Sequence, residues 1–268
     1  MARAKYITDW EQVATVKAKT VPLDIRDEEH TPFRFNGIVD QFGTQLGAVS
    51  DRHALVQNVT VVRATADALF DLGHTPNDLR RGKAMYANGK SSIDILLPGE
   101  AFRAPGDPSD LIPSMKIKNH YAGLGSLEFW LGLMRVVCTN GMTVIIRGES
   151  IKLRHVGEIG YDRVYEMVRP IIAKVMQQVE DQKEVVQLLA GIPAPMGFVD
   201  QLLEEVGDRY RSRLLGSIQS NITQLGDTGW AVAQGITEHA THDRPIGWAT
   251  QDWEANATKE LISLARTF

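Results

Sequence analysis

The chain has a single cysteine, Cys138, in 268 residues. It cannot close a disulfide on itself, and that usage points to a reducing compartment. The first residues, MARAKYITDWEQV, lack the apolar core of about 7–15 residues that a secretory signal needs. No stretch approaches the roughly 18 uninterrupted apolar residues of a membrane span, so a soluble, cytoplasmic protein without membrane contact is expected. A Walker A sequence is missing, which argues against ATP-driven chemistry. Gly123-x-Gly125 is half of a dinucleotide fingerprint, but it stands between two strand patterns instead of a strand and a helix, so it cradles no phosphate. A net positive charge is also missing. The formal charge is −4, which excludes the global basic signature of many nucleic-acid binders.

What is present is a chain that is 43% hydrophobic, enough to bury a substantial core. Its organising stretch is residues 113–155. Met115, Ile117, Asn119 and Tyr121 alternate with Lys116, Lys118 and His120, a period of two that predicts a half-buried strand with its lysines on the solvent face. A small-residue break at 122–126 leads into an apolar run, Leu127–Val137. Thr139-Asn140-Gly141 then predicts a turn into a third strand, Met142–Arg147, because Asn-Gly favours the positive φ of a tight hairpin. Upstream, Asn88-Gly89 predicts a hairpin over 83–98. Val59–Leu72 carries a helical pattern with Val59, Val62, Ala66, Leu69 and Phe70 on one face, closed by Gly73 as a C-cap glycine.

After His155 the period changes. A helical pattern runs from Val164 to Leu189, with Pro170 inside it. Phe198–Leu215, Gly226–His239 and Asn256–Thr267 are further helix candidates. Strands first and helices afterwards predict an α+β fold: an antiparallel β-meander or hairpin sheet followed by helices packing on one face. The expected organisation is an N-terminal arm (1–36), an α+β core (37–190), a linker GIPAPMG (191–197) and a C-terminal helical region (198–268).

Charge is distributed unevenly. Residues 113–155 carry Lys116, Lys118, Arg135, Arg147, Lys152 and Arg154 against Glu128 and Glu149, a net +4 on a chain of −4. With Trp130 and Tyr121 as stacking rings and His120 on the lysine face, this set has the composition of a single-strand nucleic-acid site, in which cations track the backbone and aromatic faces stack on bases. Competing chemistries are thinner. Cys138 with His120 or His155 is a nucleophile–base pair by composition, but a lone cysteine in a strand more often serves as a small apolar residue. His239-x-x-His242-Asp243 has metal-ligand spacing without a fourth ligand, and a solvated helix end explains it better. Neither metal, cofactor nor catalysis is therefore expected. Arg80, Arg81 and Lys83 form a smaller basic cluster.

Four blocks together resemble the DUF932, or phage/plasmid-like, family: GAVSDRHALVQN (47–58), IKNHYAGLGSLEFWLGLMRVVCTNGM (117–142), RHVGEIG (154–160) and GDTGWAVAQGITEHATH (226–242). Tyr121 departs from the family pattern, standing where an Asp is common. The resemblance implies a protein of mobile elements, acting in the host cytoplasm in replication or recombination. Its hairpin-then-helices layout is loosely similar to that of single-strand annealing proteins. The function expected is single-stranded DNA binding or annealing by a homo-oligomer, carried by Lys116, Lys118, His120, Tyr121, Trp130, Arg135, Arg147, Lys152 and Arg154. Self-assembly or contact with a host protein is the alternative, and an enzyme using Cys138 with a histidine the third.

Overall fold

The computed structural model describes residues 7–26, 32–75, 80–97, 101–122, 125–135, 142–144, 150–157, 159–177, 179–244 and 248–268. The turn at Asn140-Gly141, Cys138 and Arg147 lie outside them. Two antiparallel sheets and eight helices make up the described chain, an α+β fold as the pattern predicts. The first sheet has the order β1-β2-β3, from Ala18–Arg26, Pro32–Asp40 and Gln45–Ser50. The second has the order β4-β5-β6-β7-β8, with β9 paired to β7; its strands are Arg80–Ala87, Lys90–Leu96, Leu111–His120, Leu127–Arg135, Met142–Val144 and Ser150–Leu153. The β4–β5 hairpin turns on Asn88 and Gly89, at φ 50° and 78°, the left-handed pair that an Asn-Gly turn demands.

Two short helices precede the larger sheet. α1 (Trp10–Thr15) is capped by Asp9, whose carboxylate accepts from Gln12 N. α2 (Asn58–Asp71) ends where expected, with Gly73 at φ 89°. Its buried face differs from the expected one. Val59 and Phe70 are 42% and 63% exposed, while Asn58, Val61, Ala64, Thr65, Ala68 and Leu69 are buried. Hydrogen bonding explains the rotation. The Asn58 amide donates to Val13 O and accepts from Ser91 Oγ and Asn119 Nδ2, each between 2.8 and 2.9 Å. A buried amide that is fully bonded can displace an apolar neighbour from the core.

The chain divides into two units, 1–98 with 115–130 and 150–175, and 99–114 with 131–149 and 176–268. The expected arm at 1–36 is thus built into the first unit, where it supplies α1, β1 and part of β2, and Trp10 Nε1 donates to Asp94 O at 3.0 Å. The expected linker, 191–197, lies wholly inside the second unit as the turn between two helices, with Ile192 buried.

The second unit holds α4 (Val179–Gly191), α5 (Met196–Glu205), α6 (Asp208–Leu225), α7 (Gly229–His242) and α8 (Trp248–Ala265). α3 (Tyr161–Gln177), with Pro170 inside it, precedes them. The helix expected over 198–215 is two helices, because the chain leaves α5 in extended geometry at Val206 and restarts with Gly207 as N-cap. α7 is buried on nearly every side, from Gly229 to Ala240. It approaches α6 so closely that a Cβ at Gly235 would lie 2.5 Å from Ile218 Cα. Only glycine permits that contact. Among the described residues no single helix is long and apolar enough to cross a membrane.

Candidate functional site

The strand expected to carry the basic face is β6, and its position decides what that face can do. It lies between β5 and β7 and is buried along its whole length. Lys116 and Lys118 are therefore not on a solvent face, and the expectation of exposed lysines at alternate positions fails here. Lys116 Nζ sits 4.0 Å from Asp94 Oδ1, both side chains buried. Lys118 is 1% exposed, and its Nζ lies 4.6 Å from the centre of the Trp130 ring. Period-two alternation reported the strand correctly; its second face is covered as well.

Other members of the predicted set are also engaged. Trp130 is half-buried and donates from Nε1 to Glu128 Oε2 at 2.9 Å. Lys152, 57% exposed, reaches the same carboxylate at 3.0 Å. Burial opposes charge on Glu128, but Lys152 and Trp130 together hold its carboxyl below the usual range. Arg135 is buried in the second unit, where its guanidinium holds Asp107 through two bonds of 2.6 and 2.8 Å while Trp230 Nε1 donates to the same carboxylate. Tyr121 is no stacking platform. Its ring is buried, its hydroxyl donates to Val16 O at 2.6 Å, and burial raises its pKa. The His239–Asp243 contact is a local one on α7 and its cap, Nδ1 to Oδ2 at 3.1 Å. Among the described residues no group of three or more candidate ligands is placed to hold a metal.

Arg154 alone of that set is exposed without an ion-pair partner among the described residues, and it lines a cleft of about 530 Å³ in the first unit. The other walls are Ala48, Val49, Ser50 and His53 from β3 and the turn after it, Ala122, Gly125 and Ser126 from the β6–β7 connection, and His155 and Val156 beyond β9. These come from three of the four blocks that carry the family resemblance. Side-chain and backbone hydrogen bonds pull them together. Asn119 Nδ2 donates to Val56 O, Asn58 N donates to the Tyr121 hydroxyl, and Ala54 N donates to His155 O. An antiparallel bridge pairs His53 with Val156.

That bridge sets two Arg-His pairs, Arg52-His53 and Arg154-His155, side by side. Both arginines are exposed, and Gly157 N donates to Arg52 O. The two imidazoles stack with centres 5.3 Å apart and 27° between planes. His53 Nε2 contacts Tyr121 O at 2.9 Å, and His155 Nδ1 contacts Ala54 O at 3.0 Å. A carbonyl only accepts, so each contacting nitrogen carries the proton and the opposite nitrogen keeps its lone pair. His120 completes the group: burial, then the charge of Lys90 and the two neighbouring histidines, depress its pKa to about 4. Burial lowers His53 and His155 as well, so all three rings are neutral at pH 7.

Sequence reasoning singled out Arg154 and weighed His155 only as a partner for Cys138; it missed His53, Ser50 and Ser126. The signal that could have found them is the Arg-His pair repeated in two of the quoted blocks. A family model described as Domain of unknown function (DUF932) matches residues 45–266, most of the chain. Neither a curated protein nor a solved structure matches it.

Proposed function

The chain belongs to the DUF932 family, and from that premise we propose that it binds single-stranded nucleic acid, of the kind exposed in replication and recombination, through the histidine cleft and not through the lysines of β6. One observation carries the proposal: a bridge sets two Arg-His pairs about a hundred residues apart side by side, and His53, Arg154 and His155 of them line one cleft, with both arginines exposed and both imidazoles buried or half-buried. The chemistry suits a single strand. Exposed arginines engage phosphates, while neutral rings and small apolar walls accept a base face without adding charge.

The test is fluorescence anisotropy with a labelled mixed-sequence single strand across salt concentrations. Neutralising a phosphate on a single strand lowers log affinity by about 0.7 per decade of salt. Arg52, Arg154 and, in part, Lys152 then give a slope of roughly −1.4 to −2.1. Arg154→Ala weakens binding and makes the slope shallower by about 0.7. Absence of binding at low salt, or an Arg154→Ala variant indistinguishable from the parent, contradicts the proposal.

A further inference from the structure

We infer that the cleft is a pocket for one unpaired, amino-bearing nucleobase, with its edge against His53 and its backbone phosphate at Arg154. The inference rests on the nucleic-acid reading above and narrows it to a ligand group. The cleft's volume of about 530 Å³ falls within the range of about 300–1,000 Å³ typical of sites that enclose small molecules. Its walls divide by chemistry. Ala48, Val49, Ala122 and Val156 are apolar, Ser50 and Ser126 bring hydroxyls, and Arg154 is the single charged group among the described residues of the lining. Such a composition fits a flat, neutral heterocycle tethered to one anion better than it fits a free phosphate, which would find one cation and uncharged imidazoles.

Hydrogen-bond polarity sharpens the choice. His53 is half-buried on the cleft wall, and its Nε2 proton is committed to Tyr121 O. Its Nδ1 therefore offers a lone pair. His155 stacks on the His53 ring and fixes its plane, while the Nε2 of His155 is buried with no hydrogen-bond partner. An acceptor waiting on the wall calls for an N–H donor on the ligand, which the exocyclic amino group of cytosine or adenine supplies. A base inside a duplex is already stacked and paired, so occupancy of the pocket requires a single strand or an extruded nucleotide.

The experiment compares three probes of the full chain: labelled oligo(dC), an abasic oligomer of equal length and charge, and free dCMP by calorimetry. Loss of the base's contacts with the cleft walls and of its hydrogen bond is expected to make the abasic strand bind about tenfold more weakly. His53→Ala brings oligo(dC) down to the abasic level. Ala48→Trp, at an exposed position on the same wall, fills the cleft without removing a hydrogen bond and does the same if His53→Ala fails to fold. If the abasic strand binds as tightly as oligo(dC), the base pocket is overturned while strand binding survives. If oligo(dC) does not bind but dCMP does, with sensitivity to Ala48→Trp, the pocket stands and the strand-binding function falls. If none of the probes binds, both are overturned.

Discussion

Mild acidification should destabilise this protein, and His120 is the main reason. His120 is 1% exposed, and its pKa in the fold is depressed to about 4 by burial, Lys90 and two neighbouring histidines. In the unfolded chain an imidazole titrates near 6.5. Between those values the unfolded state takes up a proton that the folded state refuses, so stability is full above about 6.5 and falls as pH drops towards 4. A separation of that size corresponds to about 3 kcal/mol, a large share of the roughly 5–15 kcal/mol that holds a typical protein folded. His53 and His155 are lowered in the same direction and steepen the loss. Asp107 and Glu128, held below their ordinary values, contribute only in a lower window. The assay is urea unfolding followed by tryptophan fluorescence at a series of pH values from neutral to about 4. His120→Gln removes one titrating group and should flatten the fall by up to about 3 kcal/mol. A variant that loses stability as steeply as the parent refutes the reasoning.

Two further outcomes follow from buried charge. Arg135→Ala strands the Asp107 carboxylate beside Trp230 and should cost about 3–5 kcal/mol in chemical denaturation, whereas Arg135→Met combined with Asp107→Leu should recover most of it. Lys118→Glu places a carboxylate where Lys118 meets the Trp130 ring and should lower stability by about 3 kcal/mol or more, read as a fallen melting temperature. Lys118→Met, in contrast, should stay folded and leave the salt dependence of strand binding unchanged. A shallower slope in folded Lys118→Met protein would return β6 to the interface.

Much of the fold was legible because its signals are local. Asn88-Gly89 needs nothing beyond its own φ angles to turn a hairpin, and Gly73 needs only the helix before it. The errors arose where a distant partner decides. Lys116 and Lys118 alternate with apolar residues as surface lysines do, but Asp94 and Trp130 come from neighbouring strands to meet them. Asn58 looks like a polar helix start until Ser91 and Asn119 are placed around it. Val206 continues the apolar spacing of its helix, so periodicity gave no warning that the chain breaks there. The site shows the same limit. Each Arg-His pair is visible in the sequence, but their meeting depends on a bridge between His53 and Val156, and no local pattern encodes a contact at that separation.

The most direct test of the central claim is ultraviolet crosslinking of the protein to a single-stranded oligonucleotide, with the attached peptides located by mass spectrometry. The account predicts adducts in residues 48–53, 122–126 and 154–156, lost on competition with unlabelled strand. Adducts confined to the α4–α8 helices, or none from a strand that demonstrably binds, would contradict it.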